Sequence, residues 1–279
     1  MGIFSSFVIF FFISHFEYTI SSLSKIASIA LMHDSNIHDS LNRHKYNITV
    51  LGCGSWGTAI ARRLALNARD RSNEIQKEIK LWVKEEEYQN RSLIDIINFD
   101  HINAKYLPNI ELPTNIIASS DLFECCHGAN ILIIAIPHQF ISGVIDTLKS
   151  FNISDSIILS LSKGIIMKPE GPQLISDMIH ENLPGNCVGV LMGANVAMDV
   201  AKDEFVEATV ACRHPDGPKL ARQASKVLAS LFSCSSFNVH DFDDISSVEI
   251  CGALKNVVAL GAGMTSAPIE FMFLNEIIA

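Results

Sequence analysis

The stretch Asn47-Ile48-Thr49-Val50-Leu51-Gly52-Cys53-Gly54-Ser55-Trp56-Gly57-Thr58-Ala59-Ile60-Ala61 decides the fold. Its first part is a short run of apolar and β-branched residues, the composition of a buried strand. From Thr58 to Ala68 the pattern becomes helical. Between the two lies Gly52-x-Gly54-x-x-Gly57. In a strand–loop–helix setting the first glycine permits a tight turn and the second lets a pyrophosphate approach the backbone. The third lets helix and strand pack closely, with the helix N-terminus facing the anion. A dinucleotide is the expected ligand; the alternative is a glycine-rich turn that binds nothing.

Working outward, strands and helices alternate. A strand is expected at 78–83 and a helix at 86–98. Further apolar strands are expected at 115–118, 129–136, 156–161 and 187–191, with helical segments at 139–150 and 173–183. Runs such as Ala-Asn-Ile-Leu-Ile-Ile-Ala-Ile (129–136) lack alternation, as strands buried on both faces do. The expected class is α/β, a doubly wound, mostly parallel sheet wrapped by helices. Shorter strands at 207–212 and 237–240, flanking a helix at 218–232, extend it. The last helix, 243–263, is small and apolar all round, with Lys255 as the single charge of residues 250–262. It is expected to be buried on every side.

Composition narrows the function. The 279 residues are 48% hydrophobic and 18% charged, enough to bury a core and too apolar for intrinsic disorder. Thirty acidic against 21 basic side chains leave a net charge of −9, which argues against a nucleic-acid partner. The seven cysteines are an odd set without CxxC spacing, so they read as reduced thiols and no metal site is expected. Residues 3–13 form an apolar run too short to span a bilayer as a helix. No Lys or Arg precedes it, as a signal peptide would need, although a signal or membrane anchor stays open. The sequons at Asn47, Asn90 and Asn152 include one at the entry to a central strand, where a glycan would obstruct folding. Residues 1–46 are therefore read as an N-terminal extension and the chain as cytoplasmic, with membrane contact not favoured.

Two lysines stand in unusual places. Lys163 follows an apolar strand in Leu159-Ser160-Leu161-Ser162-Lys163-Gly164, at a carboxyl end where open α/β sheets bind ligands. Lys255 is alone in the small-residue helix, where burial lowers an amine's pKa and suits it to proton transfer. The plain readings are a loop lysine and a snorkelling lysine. Asn195 and Asn256 can hydrogen-bond a hydroxylated substrate. His138 is either structural or catalytic. Phe140 either packs on a nicotinamide or is the first core residue of its helix. After the second strand, Glu85 can accept from an adenosine ribose and Lys84 can pair with a 2′-phosphate. Glu86 and Glu87 read as a solvated helix start.

Gly-Cys-Gly-Ser-Trp-Gly-Thr-Ala-Ile-Ala, Leu-Trp-Val, Asn-Ala-Lys-Tyr-Leu-Pro, Ile-Pro-His-Gln-Phe, Ser-Leu-Ser-Lys-Gly, Leu-Met-Gly-Ala-Asn and the segment 248–263, in that order, resemble the eukaryotic cytosolic NAD-dependent glycerol-3-phosphate dehydrogenase family over residues 47–263. The resemblance implies a Rossmann-like NAD-binding domain over 47–240, and over 241–279 the first helix of an incomplete all-helical substrate domain. It implies reversible hydride transfer between NADH and dihydroxyacetone phosphate, giving sn-glycerol 3-phosphate, usually in a homodimer. By motif, Gly52, Gly54, Ser55, Trp56 and Gly57 hold the pyrophosphate, Phe140 and Ala197 lie along the cofactor, and Lys163 contacts cofactor and substrate. Lys255 matches the catalytic lysine, with Asn195 and Asn256 placing the triose. Three departures accompany it: Lys84 stands where the family commonly has an aromatic residue, the N-terminal extension is unusual, and the family's phosphate-gripping Arg-Asn pair and catalytic-site aspartate have no counterpart after Gly263. On this reading the chain is a C-terminally truncated dehydrogenase or, alternatively, a catalytically impaired NAD-binding fragment or splice product.

Overall fold

The computed structural model describes residues 45–153 and 155–266. The apolar run at 3–13, the rest of the extension before residue 45 and the tail from 267 lie outside the described residues. No helix among the described residues is long and apolar enough to cross a membrane.

The strands of the main sheet are β1 (Ile48–Leu51), β2 (Ile79–Trp82), β3 (Ile116–Ser119), β4 (Ile131–Ile134) and β5 (Ile157–Ser160). A hairpin of β6 (Ile165–Lys168) and β7 (Gly171–Leu174) follows outside it, and the sheet resumes with β8 (Cys187–Met192), β9 (Val206–Arg213) and β10 (Phe237–Phe242). Across the sheet the order is β10-β9-β8-β5-β4-β1-β2-β3. Every neighbouring pair is parallel except β8 and β9, which are antiparallel. The expected mostly parallel, doubly wound sheet is therefore present. From β1 the chain winds outward through β2 and β3, then returns to β4 on the other side. The order reverses between β1 and β4, and ligands of open α/β sheets bind outside the strand ends at such a point.

Strand side chains alternate between two helical layers. Val50, Leu81, Ile133 and Val210 face one side, where α1 (Ser55–Asp70), α5 (Ala197–Ala201) and α6 (Pro218–Phe232) cover them. Leu51, Leu132, Ile134 and Val188 face the other, under α3 (Ile141–Leu148) and α4 (Ile175–Asn182). α2 (Leu122–Cys126) precedes β4 and contributes Cys126 to that second layer. Helix α6 forms where Pro218, pre-set for a first helical turn, follows Gly217 at φ +108°. It buries Ala221, Ala224, Ser225, Leu228, Leu231 and Phe232, the spacing of one helical face.

Two expectations are corrected. Residues 86–98 do not form one helix. Gln89 and Asn90 both take left-handed φ, 51° and 60°, and turn a short hairpin of Glu87–Tyr88 with Arg91–Ser92. That is the geometry of a two-residue hairpin loop. One helical turn at Leu93–Asp95 then widens into a π-helix at Ile96–Asp100. The apolar spacing of Leu93, Ile96 and Ile97 is satisfied by burial in these short pieces.

The final helix, α7 (Ile245–Ser266), is not buried on every side. Ile245, Val248 and Gly252 face the sheet, Glu249 is buried against the start of α4, and Gly252 lies so close to β8 that a Cβ there would sit 2.7 Å from Met192 Sδ. Leu254, Val257, Val258 and Leu260 are 44 to 68% exposed. An all-apolar helix needs partners on all faces, and the sheet supplies one.

Candidate active site

Each glycine of the loop after β1 has a different physical reason. Gly52 adopts φ +115°, and a Cβ there would lie 2.7 Å from both Ala135 O and Ile136 Cγ2. At Gly57 a Cβ would run into the Gly52 carbonyl. At Gly54 it would meet nothing within 4 Å. Neither fold nor packing asks for a glycine at position 54, so a group approaching from outside remains as the reason for leaving that space open. The α1 helix has no acidic residue in its first turn and no side-chain cap, so its first N–H groups face the same space. The residues present therefore fit a pyrophosphate.

The loop is braced from below. Thr58 N–H donates to Gly54 O at 2.9 Å and its hydroxyl to Cys53 O at 2.8 Å. Asn103 Nδ2, fully buried, donates to Cys53 O and to Thr58 Oγ1, each at 2.8 Å. Ser55 Oγ donates to Tyr106 O at 2.6 Å, so the hydroxyl expected at the pyrophosphate is engaged in the loop's own scaffold. Glu86 accepts from Lys105 Nζ at 2.6 Å and Tyr106 OH at 3.1 Å, and the Cys53 thiol points at it from 3.9 Å. Burial, then the Glu86 charge, pushes the Cys53 thiol up to about 12. Glu86 is thus not a solvated helix start: it ties the segment after β2 to the Asn103–Tyr106 turn. Glu85 accepts from Ser120 Oγ at 3.3 Å, and Lys84 is exposed.

The polar side chains singled out in the sequence, His138, Lys163 and Asn195, follow the carboxyl ends of β4, β5 and β8. Ser162 Oγ donates to Ile136 O at 2.6 Å and locks the end of β5 to that of β4. The next residue, Lys163, is exposed but lies over the Trp56 ring, with Nζ 5.7 Å from its centroid, and against Lys255 of α7. Partial burial, then hydrogen bonding with and repulsion from Lys255, lowers the Lys163 amine to about 8. A depressed amine is thus found at Lys163. Among the described residues neither amine has a carboxylate ion-pair partner. Two cations held together without a counter-ion form a site for an oxyanion.

Two polar groups nearby in the fold are left without partners: Trp56 Nε1 and Asn195 Nδ2, both buried. Buried donors are normally bonded, so these two stand out as unsatisfied groups of the site. Gly193, just after β8, gives Asn195 its room, since a Cβ there would come within 2.7 Å of Asn195 Nδ2 and of Glu207 O. His138 packs on the lysine loop, 3.3 Å from the position of a Cβ on Gly164, and is exposed. Phe140 is 58% exposed, so it is not the first core residue of its helix; Ile141 is. Ala197 opens α5 half-buried, and Asn256 is exposed on α7 beside Lys255. Sequence reasoning assigned no role to Asn103, Lys105 or Tyr106, although their segment was singled out. Glu249 was missed, because no local pattern signals a contact between residues 73 or more positions apart.

Comparison with known proteins fits this geometry. The sequence model of the family described as NAD-dependent glycerol-3-phosphate dehydrogenase N-terminus matches residues 47–217. The cytoplasmic glycerol-3-phosphate dehydrogenase [NAD(+)] of Rattus norvegicus is 40% identical over 77% of this chain and 59% of its own length. Glycerol-3-phosphate dehydrogenase [NAD(+)] 2 of Zygosaccharomyces rouxii is 38% identical over 84% of this chain and 62% of its own. The chain thus spans about three fifths of the curated relatives it matches. Among solved structures, glycerol-3-phosphate dehydrogenase from Saccharomyces cerevisiae superimposes with TM-score 0.72 at 39% identity, covering 79% of this chain and 63% of that one. The Plasmodium falciparum enzyme gives 0.72 at 33%, covering 81% and 60%.

Proposed function

The chain belongs to the NAD-dependent glycerol-3-phosphate dehydrogenase family, and on that premise we propose that it binds NAD(H) and interconverts dihydroxyacetone phosphate and sn-glycerol 3-phosphate. The observation that carries the reading is the paired Lys163 and Lys255 amines beside Trp56, at the same rim as the open space over Gly54. When bound, the nicotinamide supplies or accepts the hydride. The α1 N-terminus, with the Gly54 and Trp56 backbone, receives the pyrophosphate. Trp56 Nε1 and Asn195 Nδ2 gain the partners they lack. Lys255 donates a proton to the carbonyl oxygen during reduction and recovers it from the alcohol during oxidation. Lys163, lowered to about 8, holds the oxygen in place.

The exposed row on α7 supports a second reading, NADH binding without turnover. Water reaches the Lys255 neighbourhood, and electrostatic stabilisation is weaker where water is not excluded. On the same premise the chain is read as cytoplasmic, after the names of the rat and mouse relatives, and as a homodimer if the helical substrate domain were complete. The test is fluorescence titration of the 279-residue protein with NADH, followed by NADH oxidation on adding dihydroxyacetone phosphate. Binding with oxidation supports the dehydrogenase, binding alone supports the second reading, and failure to bind rejects both.

A further inference from the structure

Glu249 is wholly buried on α7, yet it makes no ion pair among the described residues. Its carboxylate accepts from the backbone of another element: Ile175 N–H at 2.8 Å, and Ser176 N–H at 3.2 and 3.3 Å. These are the first N–H groups of α4, whose own preceding residue, Leu174, provides no side-chain cap. A carboxylate at a helix N-terminus meets both the unpaired donors and the positive end of the dipole. Here the cap comes from a helix 73 positions further along the chain.

The consequence lies in what the bond connects. Leu174, one residue before Ile175, is paired across the hairpin with Ile165. Ile165 is two residues after Lys163, across Gly164 at φ +156°, a backbone form that L residues rarely adopt. On the other side, Glu249 is three residues before Gly252, which is pressed on Met192, and six before Lys255. The path Lys163–Gly164–Ile165, Leu174–Ile175, Glu249, Lys255 is short and closed. One end comes from the sheet and the other from a helix that packs on it by one face. Arg213 of β9 holds Asp177 in the first turn of α4 at 2.7 Å, fixing the capped helix to the sheet beneath α7.

We propose that Glu249 is a positioning residue: by capping α4 from α7 it fixes the segment bearing Lys163 against the helix bearing Lys255 and so keeps the two amines together. The inference deepens the dehydrogenase reading and rests on it for its catalytic meaning. The groups facing Lys163 are Lys255 on α7 and Trp56 on α1, with His138 against the adjoining Gly164.

The test reads the amines directly. The full chain is reductively methylated with labelled formaldehyde, and the Lys163 resonance, assigned by Lys163→Arg, is titrated by NMR. Glu249→Met keeps the buried volume but removes both acceptors, whereas Glu249→Gln keeps one acceptor oxygen. We expect the Lys163 midpoint to rise by about one pH unit in Glu249→Met, as the repulsion between separated amines falls, and to stay near the parent value in Glu249→Gln. If Glu249→Met titrates with the parent, or Glu249→Gln moves as far as Glu249→Met, the proposal is overturned. Should Glu249→Met not yield folded protein, Glu249→Asp, with its carboxylate withdrawn by one methylene, takes its place with the same two outcomes. NADH titration of the same samples separates the questions: loss of binding in the parent rejects the dehydrogenase reading and leaves the amine result standing.

Discussion

Replacing Gly54 by Ala separates the folding role of the glycine loop from its binding role. The backbone at Gly54, φ −58° and ψ 172°, is ordinary for an L residue, and an added Cβ meets nothing within 4 Å. The substitution therefore strains nothing in the free protein. By restricting the unfolded chain it should raise stability by about 0.4–1 kcal/mol. In the complex the new methyl stands where a phosphate oxygen must approach the N–H groups that open α1. Each charge-assisted bond lost there costs about 1.5–3 kcal/mol, so the NADH dissociation constant should rise on the order of 10- to 100-fold per bond. Gly52→Ala is the contrast. Its φ of +115° and the Ala135 carbonyl 2.7 Å from the added carbon should cost about 1–3 kcal/mol from backbone conformation alone, with the steric clash added. Urea unfolding and NADH fluorescence titration of both variants measure the two effects. The reasoning fails if Gly54→Ala binds NADH like the parent, or if it unfolds at markedly lower urea.

Lys255→Met should move the Lys163 titration upward from about 8, because a neighbouring like charge is gone while the desolvation stays, and should abolish any turnover; the labelled-methyl NMR titration checks the first effect. The depressed Lys163 also fixes a sign for stability. Between about 8 and the ordinary lysine value of 10.5 the unfolded chain binds more protons at this residue than the folded one, so the Lys163 contribution to stability rises with pH across that window, while the buried thiols raised to about 11 to 12 contribute with the opposite sign; Lys163→Met should therefore make the change in urea midpoint from pH 7 to pH 10 more negative than in the parent. Thiol labelling should reach the exposed Cys251 and half-buried Cys234 first. Cys53, Cys125 and Cys126, which burial pushes to about 11 to 12, should resist iodoacetamide at pH 8 until denaturant is added, as peptide mass mapping would show.

What could be read from sequence was whatever local chemistry determines. The glycine loop was legible because each glycine answers a backbone demand within a few residues of itself, and α6 because Pro218 and the apolar spacing mark its start and face. The strands buried on both faces announced themselves by their unbroken apolar runs. The segment 86–98 was misread because apolar spacing cannot register that Gln89 and Asn90 turn left-handed. The amine pair was only half legible. Both lysines stood out by position, but their contact depends on the packing of α7, and that contact adds to the burial that lowers Lys163. Glu249 looked like one more polar residue of a helix, since its partners lie at the start of α4, far away along the chain.

The lone antiparallel step of the main sheet, between β8 and β9, has a consequence for how Lys255 is mounted. Because β10 keeps the reversed heading of β9, the chain leaves the sheet travelling away from the rim where Lys163 sits, and α7 has to climb back alongside β8. Had β9 continued the heading of its neighbours, the chain would have left at that rim and the following helix would have descended from it. A single reversal thus brings Lys255 up on the flank of a rising helix, a stiff mounting whose tilt is set by Gly252 against Met192, where the other heading would have offered a loop.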